Sequence, residues 1–197
     1  PGSNLPSVIG WRTIDDTNKM IEIAQTKKRA VVIGGGLLGL ECARGLLDQG
    51  MEVTVLHLAD WLMEMQLDRK AGEMLKADLE KQGMKIELQA NSKEIIGDKD
   101  VEAIKLADGR VIETDLVVMA VGIRPYTEVA KDSGLDVNRG IVVNDYMQTS
   151  DSHIYAVGEC AEHDGKVYGL VAPLYEQGKV LADYLTGKET KGYKGST

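Results

Sequence analysis

Three glycines with a fixed spacing are the residues of this sequence whose pattern implies chemistry most directly. Gly34, Gly36 and Gly39 form the pattern G-x-G-x-x-G directly after the apolar run of residues 30–33. The first glycine of this pattern permits a tight turn, the second lets the backbone approach a diphosphate, and the third lets a helix pack closely on a strand. The spacing therefore predicts a phosphate site for a dinucleotide such as NAD(H).

The helix that follows the glycines supplies further candidate contacts. The amides of Leu37 and Leu38, at the positive end of this helix, favour an anionic diphosphate. Glu41 lies in its first turns and has two interpretations. Its carboxylate either faces the nicotinamide end of the dinucleotide, or lies on the surface and interacts only with the helix dipole.

His57 stands where an acidic residue usually binds the adenine ribose, at the end of the second strand of such a unit. A neutral imidazole can bond a ribose hydroxyl, but it lacks the carboxylate's repulsion of a 2′-phosphate. The preference between NAD(H) and NADP(H) is therefore open. The alternative is that His57 is an exposed strand-end side chain with no ligand.

The elements that must position these residues can be predicted from the periodicity of apolar side chains. Residues 30–33 and 53–56 predict buried strands, and residues 37–49 and 67–82 predict helices, each ended by a glycine. A strand, helix, strand unit of this kind places its two strands parallel. Further strands are predicted at residues 84–88, 101–106, 111–112 and 116–121, with a hairpin turn at Asp108-Gly109.

The chain beyond Gly122 changes from long periodic segments to turn sequences and short apolar runs, and we expect a domain boundary near this residue. Turn sequences follow, with short strands predicted at residues 141–143 and 154–157 and a helix at residues 173–185. At the other end of the chain, residues 1–10 are predicted to be an extended connector. A short helix capped by Thr13 and Asp16 should follow it.

Composition indicates a globular protein that acts on small molecules. The chain has 197 residues, 43% of them hydrophobic, and a formal net charge of −8, which argues against nucleic acid or an anionic membrane as the main partner. No apolar run approaches the ~20 residues of a membrane span, and no signal peptide is evident, so we expect a cytoplasmic protein. Cys42 and Cys160 are far apart and predict neither a disulfide framework nor a metal site.

Three motifs in order give the chain a resemblance to a known superfamily. These are the glycine pattern within residues 31–41, the sequence AVGIRP at residues 120–125 and the sequence TSDSHIYAVGEC at residues 149–160. With them the chain resembles the FAD/NAD-linked pyridine nucleotide-disulfide oxidoreductases. Residues 53–58, 119–125, 154–163 and 169–177 are most similar to the large subunit of assimilatory NAD(P)H-dependent nitrite reductases.

The resemblance implies an α/β fold with a Rossmann-type NAD-binding domain of three-layer ββα architecture, plus part of an FAD-binding domain. Residues 26–121 would be the NAD(P)-binding domain and residues 122–190 the returning C-terminal part of the FAD domain. Residues 1–25 would be a connector and helix on the FAD side, and residues 191–197 a polar tail. The first FAD segment would precede Pro1, so we do not expect this chain to bind FAD stably by itself.

The resemblance also implies cofactor contacts in the second half of the chain. Gly122 would leave room for the nicotinamide and flavin rings to stack, with Ile123 next to it, or Gly122 is simply a glycine that reverses the chain. Gly158 and Glu159 would approach the ribityl-phosphate region of FAD, although the superfamily commonly has aspartate at the position of Glu159.

The function that follows from the resemblance is transfer of hydride from NAD(P)H to FAD, most specifically in a nitrite reductase. No side chain is required as an acid or base for this step, so no catalytic residue is assigned. Iron–sulfur and sirohaem domains would lie outside this chain. The alternatives are an NADH-dependent rubredoxin or ferredoxin reductase, a nitrate reductase electron-transfer subunit, or a non-catalytic NAD(H)-binding or assembly module.

Overall fold

The computed structural model describes residues 1–196, which form two compact units. The first unit comprises residues Pro1–Gly122 and the second begins at Ile123. None of the described helices is both long enough and apolar enough to cross a membrane.

The first unit is built on a five-stranded sheet in which every neighbouring pair is parallel. Its elements are β1 (Val8–Ile9), α1 (Ile14–Ala24), β2 (Arg29–Ile33), α2 (Leu37–Asp48), β3 (Glu52–Leu56), α3 (Arg69–Lys81), β4 (Lys85–Glu87), β5 (Ser92–Ile96), β6 (Ala103–Leu106), β7 (Val111–Glu113) and β8 (Leu116–Met119). The parallel sheet has the order β1-β8-β2-β3-β4, and β5, β6 and β7 form a separate three-stranded sheet. The carboxyl ends of β2, β3 and β8 therefore lie together at one edge.

The parallel sheet buries both of its faces, against different partners. Val32 packs with the helices in one apolar cluster that also contains Cys42 of α2. Its neighbour Val31 points the other way and packs with Ile104 and Leu106 of the smaller sheet. Because side chains alternate along a strand, an uninterrupted apolar run is required wherever both faces are covered. The layers are helices, parallel sheet and antiparallel sheet, which confirms the predicted three-layer ββα architecture.

The second unit is smaller and contains α4 (Glu128–Asp132), β9 (Ile141–Val143), β10 (Ala161–His163), β11 (Lys166–Val167) and α5 (Val171–Leu185). Its three-stranded sheet has the order β11-β10-β9. Val143, Met147, Ala156, Ala161 and Tyr193 form its buried core. Tyr193 is thus anchored, although it lies in the segment predicted as a polar tail.

Most predicted elements are present, and the prediction for residues 154–157 is wrong. Only Tyr155 in this segment makes a β-bridge, to Gln148. The Thr149 hydroxyl donates to the Ile154 carbonyl at 3.0 Å, and the Ile154 N–H donates to the Asp151 carbonyl. One ladder bond lies on each side of the bridge, from the Thr149 N–H to the Ile154 carbonyl and from the Ala156 N–H to the Met147 carbonyl, both at 3.0 Å. The pairing does not continue, because Met147 in the partner segment has a φ of +64°, which is not an extended strand conformation.

The amino-terminal segment also differs from its prediction as a simple connector. Val8 and Ile9 form β1, which pairs in parallel with β8 at the edge of the main sheet. In α1 the capping prediction is confirmed, since the Thr13 hydroxyl accepts from the Asp16 N–H and the Asp16 carboxylate accepts from the Thr13 N–H.

Candidate functional site

The glycine turn joins β2 to α2, and two of its glycines are required by the chain's own packing. Gly34 has a φ of +119°, and a β-carbon there would overlap the carbonyl group of Ala120. A β-carbon at Gly39 would overlap the carbonyl oxygen of Gly34. Because the turn packs this tightly, the start of α2 lies directly at the ends of β2 and β8.

Gly36 differs from these two glycines because no protein atom explains it. It precedes α2 with a φ of −90°, which other residues adopt readily, and a β-carbon there would meet nothing within 4 Å. The open space lies in front of the first turn of α2. The absence of a side chain at position 36 therefore keeps this space clear.

The first turn of α2 has no side-chain cap at Gly36. By contrast, Thr13 caps α1 and the Asp68 carboxylate accepts from the Ala71 N–H at the start of α3. The N–H groups of Leu37 and Leu38 have no partner within their helix, since the first amides of any helix lack one. The start of α2 thus presents unpaired donors and a partial positive charge to the open space at Gly36.

His57 is buried at the end of β3, with 7% of its surface exposed. Its Nδ1 atom accepts a hydrogen bond of 3.0 Å from the backbone N–H of Gly35, and its Nε2 atom lies 2.9 Å from a carboxylate oxygen of Glu64. The interpretation of His57 as an exposed side chain is therefore wrong. Its contact with a ribose stays a prediction, and both ring nitrogens already have partners within the chain.

Gly35 is a further residue of the turn that the spacing pattern did not single out. A β-carbon there would lie 2.6 Å from Leu62 and 2.8 Å from the His57 ring. Its carbonyl oxygen accepts from the Met63 N–H at 3.1 Å, so the loop after β3 is fixed to the glycine turn. The available sequence signal was the run of three consecutive glycines, of which the pattern uses only the first and third.

Glu41 and Gly122 are both exposed to solvent. Gly122 ends the first unit with a φ of +89° and open space where a β-carbon would stand. This conformation is strained for other residues, so the backbone by itself explains a glycine here. The roles of Glu41 and Gly122 toward a cofactor stay predictions.

In the second unit, Gly158 begins the turn that contains Glu159, and Gln177 holds it in place. The Gly158 N–H donates to Oε1 of Gln177 at 2.8 Å, and Gln177 of α5 is fully buried. Glu159 is exposed, and its carboxylate lies near Gly169, where a β-carbon would also contact Ile123. Ile123, Gly158 and Glu159 are thus brought to one side of this unit.

Gln177 was missed by the sequence analysis, although a signal for it was present. It lies in the predicted helix at helical spacing from the apolar residues Leu174 and Leu181. A polar residue on an apolar helix face requires a hydrogen-bond partner when it is buried. Its Nε2 atom has none among the described residues.

The two cysteines do not form a redox pair. Cys42 is 3% exposed within the helical face of the first unit, and burial raises the pKa of its thiol to about 12. Cys160 is in the second unit and is partly exposed. In the part of the chain that the structure describes, no cluster of three potential metal ligands is found.

The fold and the glycine turn define a class of protein, the oxidoreductases that use a pyridine nucleotide with a flavin. Comparison with known families agrees, because the pyridine nucleotide-disulphide oxidoreductase family matches residues 1–178. The chain belongs to this family.

Individual relatives narrow the comparison. The chain is 60% identical over 196 residues to the nitrite reductase (NAD(P)H) of Bacillus subtilis. The match covers 100% of this chain and 24% of that protein. It is 48% identical to the assimilatory nitrate reductase electron transfer subunit of the same organism, over 100% of this chain and 25% of that protein. This chain therefore spans about a quarter of the length of these curated relatives.

A solved structure with the same fold is a ferredoxin reductase from Rhodopseudomonas palustris. It is 32% identical, with a TM-score of 0.93, and the match covers 100% of this chain and 50% of that one. The fold of this chain is therefore that of NAD(P)H- and FAD-linked oxidoreductases.

Proposed function

We propose that the chain is the NAD(P)H-handling module, with part of the FAD site, of a flavin-dependent oxidoreductase that passes hydride from NAD(P)H to FAD. The observation that carries this proposal is the open space at Gly36. Gly34, Gly35 and Gly39 are explained by contacts within the protein, whereas Gly36 meets nothing within 4 Å. A ligand that accepts hydrogen bonds from the unpaired amides of Leu37 and Leu38, and fills the space at position 36, explains why this residue is a glycine.

The residues around the turn fit a dinucleotide diphosphate. The group is anionic, and the start of α2 offers backbone donors together with the positive end of the helix dipole. Bound there, the pyridine nucleotide supplies the hydride. The protein's own contribution is to hold and orient it. In the same proposal, Glu41 and Gly122 lie toward the nicotinamide.

The second unit supplies a partial flavin site in this proposal, with Ile123, Gly158 and Glu159 as contacts. The residues fit such a group in two respects. The space at Gly158 is open, and its backbone is fixed through Gln177. The exposed carboxylate of Glu159 accepts hydrogen bonds and suits a hydroxyl-bearing chain. FAD, when bound, supplies the hydride acceptor.

We also propose that residues 26–121 are the NAD(P)-binding domain and residues 122–190 belong to the FAD-binding domain. The division of the described chain at Gly122 supports this boundary. The assignment of residues 1–25 to the FAD side must accommodate β1, since Val8 and Ile9 pair with β8 in the first unit.

For the whole protein we propose the reduction of nitrite, with electrons leaving the flavin for iron–sulfur and sirohaem groups in domains outside this chain. The 60% identity to a nitrite reductase across all of this chain supports the choice. The test is turnover of the full-length, FAD-loaded protein with NADH. Nitrite-dependent oxidation is expected, and NADH oxidation without any response to nitrite would refute the assignment.

A second candidate is a reductase that feeds a protein electron carrier, such as rubredoxin, ferredoxin or a nitrate reductase. The observations that favour it are the 48% identity to an electron transfer subunit and the fold shared with a ferredoxin reductase. Reduction of such a carrier without nitrite turnover would support it.

Dinucleotide binding by this chain is testable directly by calorimetric titration with NADH and with NADPH at matched salt. Binding that is lost in Gly36→Ala supports the site at the glycine turn. A chain that binds neither dinucleotide, and instead self-associates tightly, would point to a non-catalytic assembly module.

A further inference from the structure

We propose that Glu64, held by His57, selects NADH over NADPH by placing a carboxylate next to the adenine ribose, which carries a 2′-hydroxyl in NADH and a 2′-phosphate in NADPH. This inference rests on the proposed binding of a dinucleotide at the glycine turn. In units of this type an acid at the end of the second strand binds the ribose hydroxyls, and an arginine nearby accommodates the 2′-phosphate. Here the strand-end position is His57, so a carboxylate for this role has to come from another residue.

The hydrogen bonds of His57 determine which of its nitrogens carries the proton. A backbone N–H only donates, so the bond of 3.0 Å from Gly35 requires an unprotonated Nδ1. The proton of the neutral ring is then on Nε2, which donates to the Glu64 carboxylate at 2.9 Å. His57 is therefore a positioning residue that joins the glycine turn to Glu64.

The backbone around Glu64 is fixed independently of His57. The preceding residue, Met63, donates its N–H to the Gly35 carbonyl and accepts from the amides of Gln66 and Leu67, both at 2.8 Å. Met63 has a φ of +59°, an unusual value that the surrounding bonds must maintain. Leu62 is fully buried against Gly35. The Glu64 carboxylate is thus held one imidazole ring away from the glycine turn.

The charges of this loop favour a ribose without a phosphate. The Glu64 side chain is 35% exposed, so its carboxylate is accessible to a ligand while it accepts from His57. Arg69, the nearest arginine in the sequence, is already paired with Asp60 and lies 3.8 Å from Glu73. The Glu64 carboxylate accepts a hydrogen bond from a ribose hydroxyl and repels a 2′-phosphate, and Arg69, held by Asp60, does not offset that repulsion.

The test is calorimetric titration of the chain and its Glu64→Gln variant with NADH and NADPH at low salt. The unmodified chain should bind NADH more tightly, and Glu64→Gln should reduce the ratio of affinities by about tenfold, mainly by improving NADPH binding. Glu80→Gln is the matched control, since it removes an equally charged, exposed side chain at the other end of α3, where its partner is Lys76 rather than Arg69, and should leave the ratio unchanged.

Two His57 variants separate its two hydrogen bonds. In His57→Asn the amide oxygen replaces Nδ1 as acceptor for Gly35, but no donor reaches Glu64, so the NADH preference should fall as in Glu64→Gln. In His57→Gln the longer side chain still donates to Glu64 but no longer accepts from the Gly35 N–H. The preference for NADH should therefore persist while the melting temperature decreases.

The outcomes distinguish this inference from the function on which it rests. Tight NADH binding with an unchanged ratio in Glu64→Gln would overturn the role of Glu64 and leave dinucleotide binding intact. An unchanged ratio in His57→Asn would overturn the positioning role of His57. If the unmodified chain bound neither dinucleotide, the proposed function would fail, and the selectivity with it.

Discussion

Gly39 packs directly against the carbonyl oxygen of Gly34, so that no β-carbon fits between the start of α2 and the end of β2. Three residues earlier, Gly36 faces open space. The two glycines therefore serve different purposes, one in folding and one in binding, and substitution separates them.

Gly36→Ala should retain the fold and lose the ligand. Its backbone conformation suits alanine, so the free energy of unfolding should change by no more than about 1 kcal/mol, the typical effect of an N-cap change. The added methyl group would occupy the diphosphate position, and NADH affinity should fall by at least about tenfold. Denaturant unfolding and calorimetric titration measure the two effects, and unchanged affinity would place the diphosphate elsewhere.

Gly39→Ala should lower stability. The added methyl group overlaps the Gly34 carbonyl, a backbone atom that cannot move without displacing the turn, so a loss of about 1–3 kcal/mol is expected. Gly45→Ala is a suitable control, because Gly45 lies in the same helix with nothing within 4 Å of an added β-carbon. Equal stability of the two variants would contradict the tight packing of Gly39 against the Gly34 carbonyl.

Gln177→Met should loosen the turn at Gly158. Methionine fills a similar volume but offers no strong acceptor for the Gly158 N–H, which lowers stability. The substitution also removes the buried, unpaired Nε2 atom, which offsets part of this loss, so we expect a net decrease of about 1 kcal/mol. Hydrogen exchange at Gly158 should accelerate. Lys179→Met, on an exposed position of the same helix, should leave this exchange rate unchanged; acceleration in both variants would count against a specific role for Gln177.

Glu162 should make the second unit sensitive to acid. Its buried carboxylate accepts from the N–H groups of Gly140 and Arg139 at 2.9 and 2.8 Å, and these bonds, led by that of Gly140, hold its pKa below the usual value. A lowered folded-state pKa gives stability that is present above the unfolded-state pKa and is lost as the pH falls through the folded-state value.

The Glu162→Gln variant tests this dependence by thermal unfolding at pH values from neutral to below the ordinary pKa of a glutamate side chain. It should melt lower than the unmodified chain at neutral pH, and the difference should shrink as the pH falls. Glu189→Gln removes an exposed carboxylate of the same unit and should leave the profile unaltered. A constant difference at all pH values would exclude titration of Glu162 as the cause.

Cys42 should be inert in the folded chain. Its thiol remains protonated because burial raises its pKa to about 12, and only the thiolate attacks a disulfide reagent. Titration with a disulfide reagent should modify Cys160 first and Cys42 only after unfolding. In a Cys160→Ser variant the native chain should therefore show almost no reaction between pH 7 and pH 9, and rapid native labelling would contradict the burial of Cys42.

The predictions that held depended on patterns local in the sequence. The apolar run of β2, the glycine spacing and the periodicity of α2 all come from neighbouring residues and gave the right elements. The strand predicted at residues 154–157 was wrong because its pairing with the segment around Gln148 ends after one bridge, where Met147 adopts a φ of +64°, and no pattern within residues 154–157 records the conformation of the partner segment.

The sequence by itself determined the parallel α/β unit and the glycine turn, because periodicity and glycine stereochemistry act over a few residues, and its resemblance to a family supplied the three-layer architecture. Only the tertiary structure decided that His57 faces inward to Gly35 and Glu64, and that Gln177 holds Gly158. These contacts join residues that are far apart along the chain or depend on how a loop folds back. Their geometry is fixed by packing, which no local pattern records.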